Sequence, residues 1–362
     1  MNYFRMMIAA GLVCTSAAFA QFTNIVESGP AYAAVQGVSS GFNGMQNGVF
    51  ARSRQLRRNL VATAHAIPHA AFLFGSTNGP AGARGPGDPN TIFGMHFWAQ
   101  QYSGKAQYDR QGVSDGFTLN NNGSSVGLDK LIGEALVAGI NYTYARSTSS
   151  ASNGDHVETE TYWIGLYGEY VNERGLYVDA LLALARSNYE SERNAPGYRG
   201  TARFRGSNVG GHIDVGNYFH SGRWALAPYV GLHYLWVQTD DYTEIDATGG
   251  QAQVDETKVA SLESVVGLKL RNRVDTRIGR IQTTGYVEWM HDFLNEEIQS
   301  TLSAAATSVQ TAGITPDENR INAGVGLGWT CTDYMEVGVG YDARFNENYE
   351  EHMGTLMLSV MF

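Results

Sequence analysis

The chain has 362 residues and a formal net charge of −10 at pH 7. That sign disfavours nucleic-acid binding, which needs basic surfaces to neutralise phosphates. The 43 Gly and 20 Tyr, set against 8 Pro and 17% charged residues, are typical of a strand-rich protein. Of the 2 Cys, Cys14 lies near the N-terminus and Cys331 near the C-terminus, so no intramolecular disulfide is predicted once the N-terminus is removed.

Residues 1–20 have the pattern of a secretory signal peptide. Arg5 is followed by an apolar run, and Ala18-Phe19-Ala20 forms a small-x-small cleavage site. The run is too short for a transmembrane helix, which needs about 20 residues. We therefore predict export of the chain. The next residues, 21–44, are predicted to be a short passenger-like segment, with no repeats and no catalytic pattern.

Residues 45–67 are predicted to form a helix. The segment lacks Pro until Pro68, where the helix would end. Its basic residues are Arg52, Arg54, Arg57 and Arg58. A Gly/Pro-rich linker over residues 68–91 follows, with no capacity to build a core. Two locations remain open for this basic helix, which are the lumen of a barrel and the surface of a membrane.

From residue 92 to residue 362 the sequence alternates between apolar and polar or small residues. A period of two residues is the signal of β-strands. One apolar face comprises Leu136, Ala138, Ile140, Tyr142 and Tyr144, and the residues between them are Val137, Gly139, Asn141 and Thr143. Such strands fit either a soluble sandwich, in which oily faces meet, or a membrane barrel, in which the oily face meets lipid.

The lengths of the connections between the predicted strands favour the barrel. Tight connections, such as Asn172–Arg174 and His220–Gly222, alternate with long ones, such as Glu190–Gly200 and Leu294–Asp317. Outer-membrane barrels have short periplasmic turns and longer extracellular loops. We therefore predict an all-β fold over residues 92–362, a transmembrane antiparallel β-barrel of about 12 strands.

The last strand carries a C-terminal signature of apolar residues at every second position. Its members are Leu356, Leu358, Val360 and Phe362. Combined with export and the alternation, this signature favours an outer-membrane barrel. We expect the C-terminal strand to engage the barrel-assembly machinery. The outer surface is expected to contact outer-membrane lipid and lipopolysaccharide, and the barrel is expected to be monomeric.

Five stretches of the chain carry a family resemblance. They are GMHFWAQQYSGKAQYD (Gly94–Asp109), GSSVGLDKLIGEALVAGINYTYARS (Gly123–Ser147), LAPYVGLHYLWV (Leu226–Val237), YVEWMHDF (Tyr286–Phe293) and NRINAGVGLGW (Asn319–Trp329). In this order the series resembles the autotransporter β-domain, the translocator of type V secretion. The resemblance implies a twelve-stranded barrel with an N-terminal helix in its pore.

The resemblance gives the basic helix a role as a plug of the lumen. We predict lumen-facing carboxylates at Glu169, Asp179, Asp214 and Glu263. Opposite charges attract more strongly in a partly dehydrated pore than in water. Relatives usually carry a long passenger, whereas here only residues 21–44 precede the predicted helix. The expected function is therefore to anchor or export a short segment through the lumen. The alternative is a passenger-less structural or adhesive barrel, or a narrow pore, that acts through its extracellular loops.

Catalytic patterns are weak in this sequence. None of its acid–base sets of His and Asp is flanked by a Gly-x-Ser-x-Gly elbow, and no metal-ligand run of His or Cys appears, so neither an enzyme, a metal nor a cofactor is predicted. In some autotransporters the pore helix is cut when an Asn side chain attacks its own backbone, and the candidates here are Asn43 and Asn47. Helix capping by Asn43, or an ordinary turn, is the competing interpretation.

Overall fold

The computed structural model of the protein describes one helix and seventeen strands. The described residues are 33–47, 49, 95–110, 116–133, 135–195, 198–298, 300–304, 307–310, 315–332 and 335–361. The helix, α1, comprises residues 33–47 and 49. Among the described residues, no helix combines the length and the apolar character needed to cross a bilayer. The predicted signal peptide and the predicted linker lie outside the described residues.

The strands follow α1 in chain order. They are β1 (Met95–Tyr108), β2 (Phe117–Ile132), β3 (Leu136–Ala151), β4 (His156–Val171), β5 (Leu176–Ala195), β6 (Tyr198–Asn217), β7 (Phe219–Ser221), β8 (Trp224–Thr239), β9 (Tyr242–Asp246), β10 (Gln251–Val254), β11 (Thr257–Thr276), β12 (Gly279–Asp292), β13 (Thr301–Ala304), β14 (Thr307–Gln310), β15 (Asn319–Thr332), β16 (Met335–Phe345) and β17 (Tyr349–Met361).

Twelve of these strands form a closed antiparallel barrel. In order around the wall they are β1 to β6, β8, β11, β12, β15, β16 and β17. The pairing of β1 with β17 closes the wall and places Trp98 opposite Ser359. Closure gives every wall strand two hydrogen-bonded neighbours, which a strand in lipid requires. The predicted all-β barrel of about 12 strands is confirmed.

Alternation along the strands separates an outer face from an inner one. On β5, Leu182 and Leu184 point outwards and are 58% and 54% exposed, whereas Leu181 and Ala183 point inwards and are buried. Each of the twelve wall strands exposes at least one large apolar side chain on the outside. A continuous apolar surface of this kind is stable against lipid and not against water. The wall is therefore built to span a membrane.

One end of the barrel carries tight turns. The backbone reverses there at Gly133, Gly175, Gly222 and Gly279, whose φ angles are 63°, 88°, 58° and 118°. Side chains rarely adopt such positive φ values, so glycine at these positions permits the short connections. We call this end the short-turn end, and the opposite one the long-loop end. The short-turn end corresponds to the periplasmic side of outer-membrane barrels.

The long-loop end differs in detail from the prediction. The connection expected over Glu190–Gly200 is mostly strand, because β5 and β6 continue to Ala195 and from Tyr198. Two further long connections, residues 240–255 and 294–317, contain the hairpins β9–β10 and β13–β14 respectively, and β10 pairs with β13. Above the membrane both faces of a strand are hydrated. The alternation of apolar and polar residues that identifies the wall strands is therefore weaker in these strand ends, although the backbone pairing continues.

Candidate functional site

The lumen of the barrel holds α1. Every described residue of this helix is buried or half-buried. Tyr108 donates a hydrogen bond to Gln36 at 2.9 Å, and Gln100 donates one to the carbonyl of Gly44 at 3.1 Å. Residue numbers thus fall along β1 as they rise along α1. The helix therefore begins at the long-loop end and runs towards the short-turn end.

Small residues let α1 approach the wall closely. Gly37, Gly41 and Gly44 follow helical spacing and share one face of α1. A Cβ at Gly44 would overlap the ring of Tyr102, and a Cβ at Gly41 would lie only 2.9 Å from the Cβ of Ala145. Glycine is therefore required here by close approach and not by φ. The glycine face of α1 therefore packs closely against the inner side of β1 to β4.

Polar side chains fix the middle of α1 to the wall. The amide of Asn121 on β2 donates to the hydroxyl of Ser40 at 2.8 Å, and this hydroxyl in turn donates to the carboxylate of Glu351 on β17. Arg344 pairs with the same carboxylate at 2.6 Å. All four side chains are buried. Because buried polar groups are costly without partners, this network favours one position of the helix in the lumen.

The described helix differs from the predicted one. It comprises residues 33–47 and 49, mostly within the segment assigned to a short passenger over 21–44, and overlaps the predicted helix 45–67 only at its start. Three Gly and two Ser give this segment poor intrinsic helix propensity. Its helical state depends on burial in the lumen, which no local pattern reveals. The predicted plug residues Arg52, Arg54, Arg57 and Arg58 lie outside the described residues.

The four predicted carboxylates lie on the inner face of the wall. Glu169, Asp179 and Asp214 are at most 2% exposed, and Glu263 is half-buried. Asp214 accepts a hydrogen bond from His233 at 3.2 Å and lies 3.7 Å from the ammonium of Lys269. Arg320 pairs with Glu263 at 2.7 Å. Two of these carboxylates thus have cationic partners within the wall itself, and their attraction to the basic segment stays a prediction.

The two candidate cleavage residues lie inside α1. Asn43 and Asn47 are 8% and 9% exposed, and Asn43 occupies the helix interior, so the capping interpretation is wrong. The amide of Asn47 lies 3.8 Å from the sulfur of Met353. Self-cleavage stays a prediction. Within the described part of the chain, no group of three or more His, Cys, Asp or Glu is arranged to hold a metal ion.

The C-terminal signature residues lie mostly on the lipid-facing side of β17. Leu356 and Leu358 are 55% and 40% exposed, and Val360 is half-buried on the same side. Phe362 lies outside the described residues. The inner side of β17 carries Glu351 instead, which the sequence analysis missed. Its position in the alternation could have revealed it. Glu351 is odd-numbered whereas the apolar signature residues are even-numbered, so the two must face opposite sides of the strand.

The fold and the lumen together define a class of protein. A closed wall with an apolar outer surface, short turns at one end and a helix threaded through its lumen describes an outer-membrane β-barrel of the translocator type. A family model described as Autotransporter beta-domain matches residues 97–342. The chain therefore belongs to the autotransporter β-domain family. It is an outer-membrane barrel, and this family is a transport and structural fold rather than a catalytic one.

Relatives in sequence are outer-membrane proteins of Rickettsia. Outer membrane protein B of Rickettsia rickettsii is 24% identical over 294 residues, which are 75% of this chain and 17% of that protein. Outer membrane protein A of Rickettsia conorii is 23% identical over 303 residues, which are 78% of this chain and 15% of that protein. The chain thus spans less than a fifth of the length of these relatives.

Solved structures support the same fold. The translocator domain of autotransporter NalP from Neisseria meningitidis aligns with a TM-score of 0.61 and 17% identity, over 87% of this chain and 98% of that domain. The beta domain of the Bordetella autotransporter BrkA aligns with a TM-score of 0.57 and 18% identity, over 74% of this chain and 99% of that domain. The architecture inferred from the wall and its lumenal helix is thus that of known translocator domains.

Proposed function

We propose that this barrel carries the polypeptide preceding α1 to the cell surface and keeps it there by holding α1 in the lumen. The observation that carries this proposal is the direction of the helix. Residue 33 lies towards the long-loop end and residue 49 towards the short-turn end, where β1 begins at Met95. The described helix therefore enters the lumen at the end that is extracellular in outer-membrane barrels, as export of a segment ahead of it requires.

Surface exposure of an inserted epitope tests this proposal directly. An epitope placed after Ser28, before the helix, should be cleaved by a protease added to intact cells. The matched control places the same epitope after Glu173, in the tight turn between β4 and β5, where it should be protected until the outer membrane is permeabilised. Protection of the Ser28 epitope on intact cells would exclude export.

A disulfide tests whether α1 lies in the lumen where the proposal needs it. A Cβ built at Gly37 lies 3.5 Å from the Cβ of Ser147, within the range that disulfides span. The double variant Gly37→Cys/Ser147→Cys, in a Cys331→Ser background, should form a crosslink in the membrane. The control Gly37→Cys/Thr148→Cys should not, because position 148 lies on the outer side of the same strand. Equal crosslinking of both pairs would contradict the assigned location.

We also propose that the barrel acts without a catalytic step, as a monomer embedded in outer-membrane lipid and lipopolysaccharide and inserted through its C-terminal strand by the barrel-assembly machinery. The continuous helix that the described residues form through Asn43 and up to Asn47 supports an uncut chain. The variant Asn43→Gln/Asn47→Gln should have the mass of the unchanged protein, apart from the substitutions, when isolated from the outer membrane. A longer product in the variant would reveal self-cleavage.

A second candidate, a structural or adhesive barrel without export, is favoured by one observation. The hairpins β9–β10 and β13–β14 pair across the long-loop end, with Val254 opposite Leu302, and build an ordered surface there. The epitope experiment separates the candidates when a third insertion is placed after Thr248 in the β9–β10 turn. Cleavage at position 248 together with protection at position 28 would favour the adhesive barrel.

A further inference from the structure

Outward-facing cations of the wall are concentrated in one sector of the long-loop end. Among the described residues, the Lys and Arg side chains that project outwards from wall strands at this end are Lys105, Arg146, Arg186, Arg199, Arg203, Arg205 and Lys258. All the Arg members lie on β3, β5 and β6, and we call them the arginine sector. On the opposite part of the wall, β12 and β16 carry Trp289 and Phe345 on the outside at this end.

The arginine sector begins where the apolar outer face of the wall ends. Arg186 follows the lipid-exposed Leu182 and Leu184 on the outer side of β5, and Arg146 follows Tyr144 on the outer side of β3. Each Arg lies two residues beyond its apolar or aromatic neighbour, which is a rise of about 7 Å along the strand. Aromatic side chains at the ends of barrel strands lie at the headgroup level of the membrane. The sector therefore begins at the headgroups of the outer leaflet.

Arg186 and Arg205 are neighbouring cations in the part of the sector that is closest to the membrane. Arg186 lies opposite Ser207 and Arg205 lies opposite Asn188, so the two Arg are diagonal neighbours on adjacent strands. The Cβ atoms of such neighbours are about 7–8 Å apart. Both side chains are exposed. Two guanidinium groups at this spacing can donate hydrogen bonds to opposite sides of one phosphate group.

The ion pairs around these two Arg leave both available to an anion. Arg186 pairs with Asp240 at 3.0 Å, and 51% and 41% of the two side chains are exposed. An exposed ion pair contributes little free energy, and a phosphate carries more charge and more acceptor oxygens than a carboxylate. Phosphate therefore competes well for this guanidinium. Arg205 forms no ion pair with any carboxylate of the described residues.

Carboxylates that alternate with the Arg residues favour a phosphorylated sugar over a simple anionic lipid. Glu190 pairs with Arg203 at 3.0 Å, and Glu160 accepts a hydrogen bond from Tyr144 at 3.0 Å. Carboxylates of this kind repel a bare anionic headgroup, but they accept hydrogen bonds from the hydroxyl groups of a sugar. Lipid A, the membrane anchor of lipopolysaccharide, presents phosphates on a sugar at the headgroup level of the outer leaflet. Its chemistry thus matches both kinds of side chain.

We propose that the arginine sector binds the phosphorylated sugar of lipid A, with one phosphate between Arg186 and Arg205. This inference rests on the proposed embedding of the barrel in lipopolysaccharide, and it assigns that contact to one sector of the wall. Bound there, the glycolipid contacts the parts of β5 and β6 that continue beyond the apolar surface. It is independent of export, because no segment ahead of α1 takes part.

Native mass spectrometry of the detergent-solubilised protein, titrated with diphosphoryl lipid A, tests the site. Arg186→Gln/Arg205→Gln should weaken binding about tenfold, because charge-assisted hydrogen bonds to phosphate are lost. The control Lys105→Gln/Lys258→Gln removes the same charge from exposed outer positions on β1 and β11, and should bind as the unchanged protein does. Heat-modifiable migration in gel electrophoresis verifies that each variant is folded. Equal weakening in both variants would overturn the assignment to the arginine sector.

Two further lipids identify the ligand in the same titration. Dephosphorylated lipid A and phosphatidylglycerol, which lack the phosphate and the sugar respectively, should each bind the unchanged protein more weakly than diphosphoryl lipid A. Phosphatidylglycerol that binds as tightly as lipid A would overturn the assignment of a phosphorylated sugar. Lipid A binding that Arg186→Gln/Arg205→Gln leaves unaltered would refute the site alone. If the unchanged protein bound no lipid A, both the site and the proposed contact with lipopolysaccharide would be refuted.

Discussion

The two sides of the lumen wall differ in what they carry. On the packed side, formed by β1 to β6, the inner face holds Trp98, Tyr102 and Trp163, all at most 1% exposed, and α1 packs against this side. On the open side, at β15 and β16, the inner positions include Gly338 and Gly340, and the described residues leave the space in front of them open. Both sides nevertheless have the same antiparallel pairing and the same apolar outer face. Closure of the wall therefore depends on backbone pairing and lipid, whereas the filling of the lumen is a separate feature.

The strongest prediction concerns the outer faces, which should not distinguish the two sides. Leu182 on β5 and Val339 on β16 are 58% and 51% exposed to lipid. Replacing either by Arg should lower the free energy of unfolding in lipid vesicles by about 2–4 kcal/mol, because a cation near the bilayer midplane is poorly solvated. Urea titration measures this loss of stability, with the folded fraction followed by heat-modifiable migration in gel electrophoresis. Tolerance on one side only would mean that the wall is not uniformly in contact with lipid.

The inner faces should behave differently on the two sides, with a smaller effect. A Cβ at Gly210 would overlap the ring of Phe42 on α1, whereas the nearest atom to a Cβ at Gly340 is 3.7 Å away. Gly210→Val should destabilise the barrel by about 1–3 kcal/mol through overpacking.

Gly340→Val is the matched variant on the open side. It should leave the free energy of unfolding unchanged or raise it by up to about 1 kcal/mol, because valine suits a strand better than glycine. The same urea titration compares the two variants. Equal losses at positions 210 and 340 would show that the lumen is filled on both sides.

A finer prediction concerns the hydrogen bonds that attach α1 to the packed side. Asn121→Ala removes the donor to Ser40 and should cost about 1 kcal/mol, within the usual range for a buried hydrogen bond. Asn120→Ala, at the outward-facing neighbour on β2, should cost nothing measurable. A double-mutant cycle with Ser40→Ala should give a coupling free energy of similar size. Additive losses would mean that Asn121 stabilises the wall and not the helix.

The wall could be predicted from sequence, because each strand carries its own signal. Lipid on one side demands an apolar residue at every second position, as at Leu136, Ile140 and Tyr142 on β3, and the turns require glycine. An N-terminal helix in the lumen was predicted from the resemblance, but its position was not, because most of its residues are small or polar and its stability comes from contacts distant in sequence, such as that of Ser40 with Glu351. Residues 45–67 have stronger local helix propensity, which is why the prediction favoured them over residues 33–47.

The smallest expected effect lies beyond the membrane, in the β9–β10 hairpin next to the open side. The carboxylate of Asp246 accepts hydrogen bonds from the hydroxyl and the backbone amide of Thr248 and from the amide of Gly250, each at 2.7 Å. These bonds, chiefly that from the Thr248 hydroxyl, lower the pKa of Asp246 below the ordinary range of aspartate. A lowered pKa in the folded hairpin means that the carboxylate stabilises it above the ordinary aspartate pKa, and that this stabilisation is lost as the pH falls through the lowered value.

Amide hydrogen exchange measures this pH dependence locally. After correction for the intrinsic exchange rate, protection of the turn residues 246–250 should decline as the medium becomes acidic, while protection of the wall strands β8 and β11 should stay constant. Asp246→Asn should abolish the decline, since the amide does not titrate. A parallel decline in the wall strands would show that the hairpin and the barrel unfold as one unit. The hairpin would then be part of the same cooperative structure as the wall of the open side, instead of an independent addition at its rim.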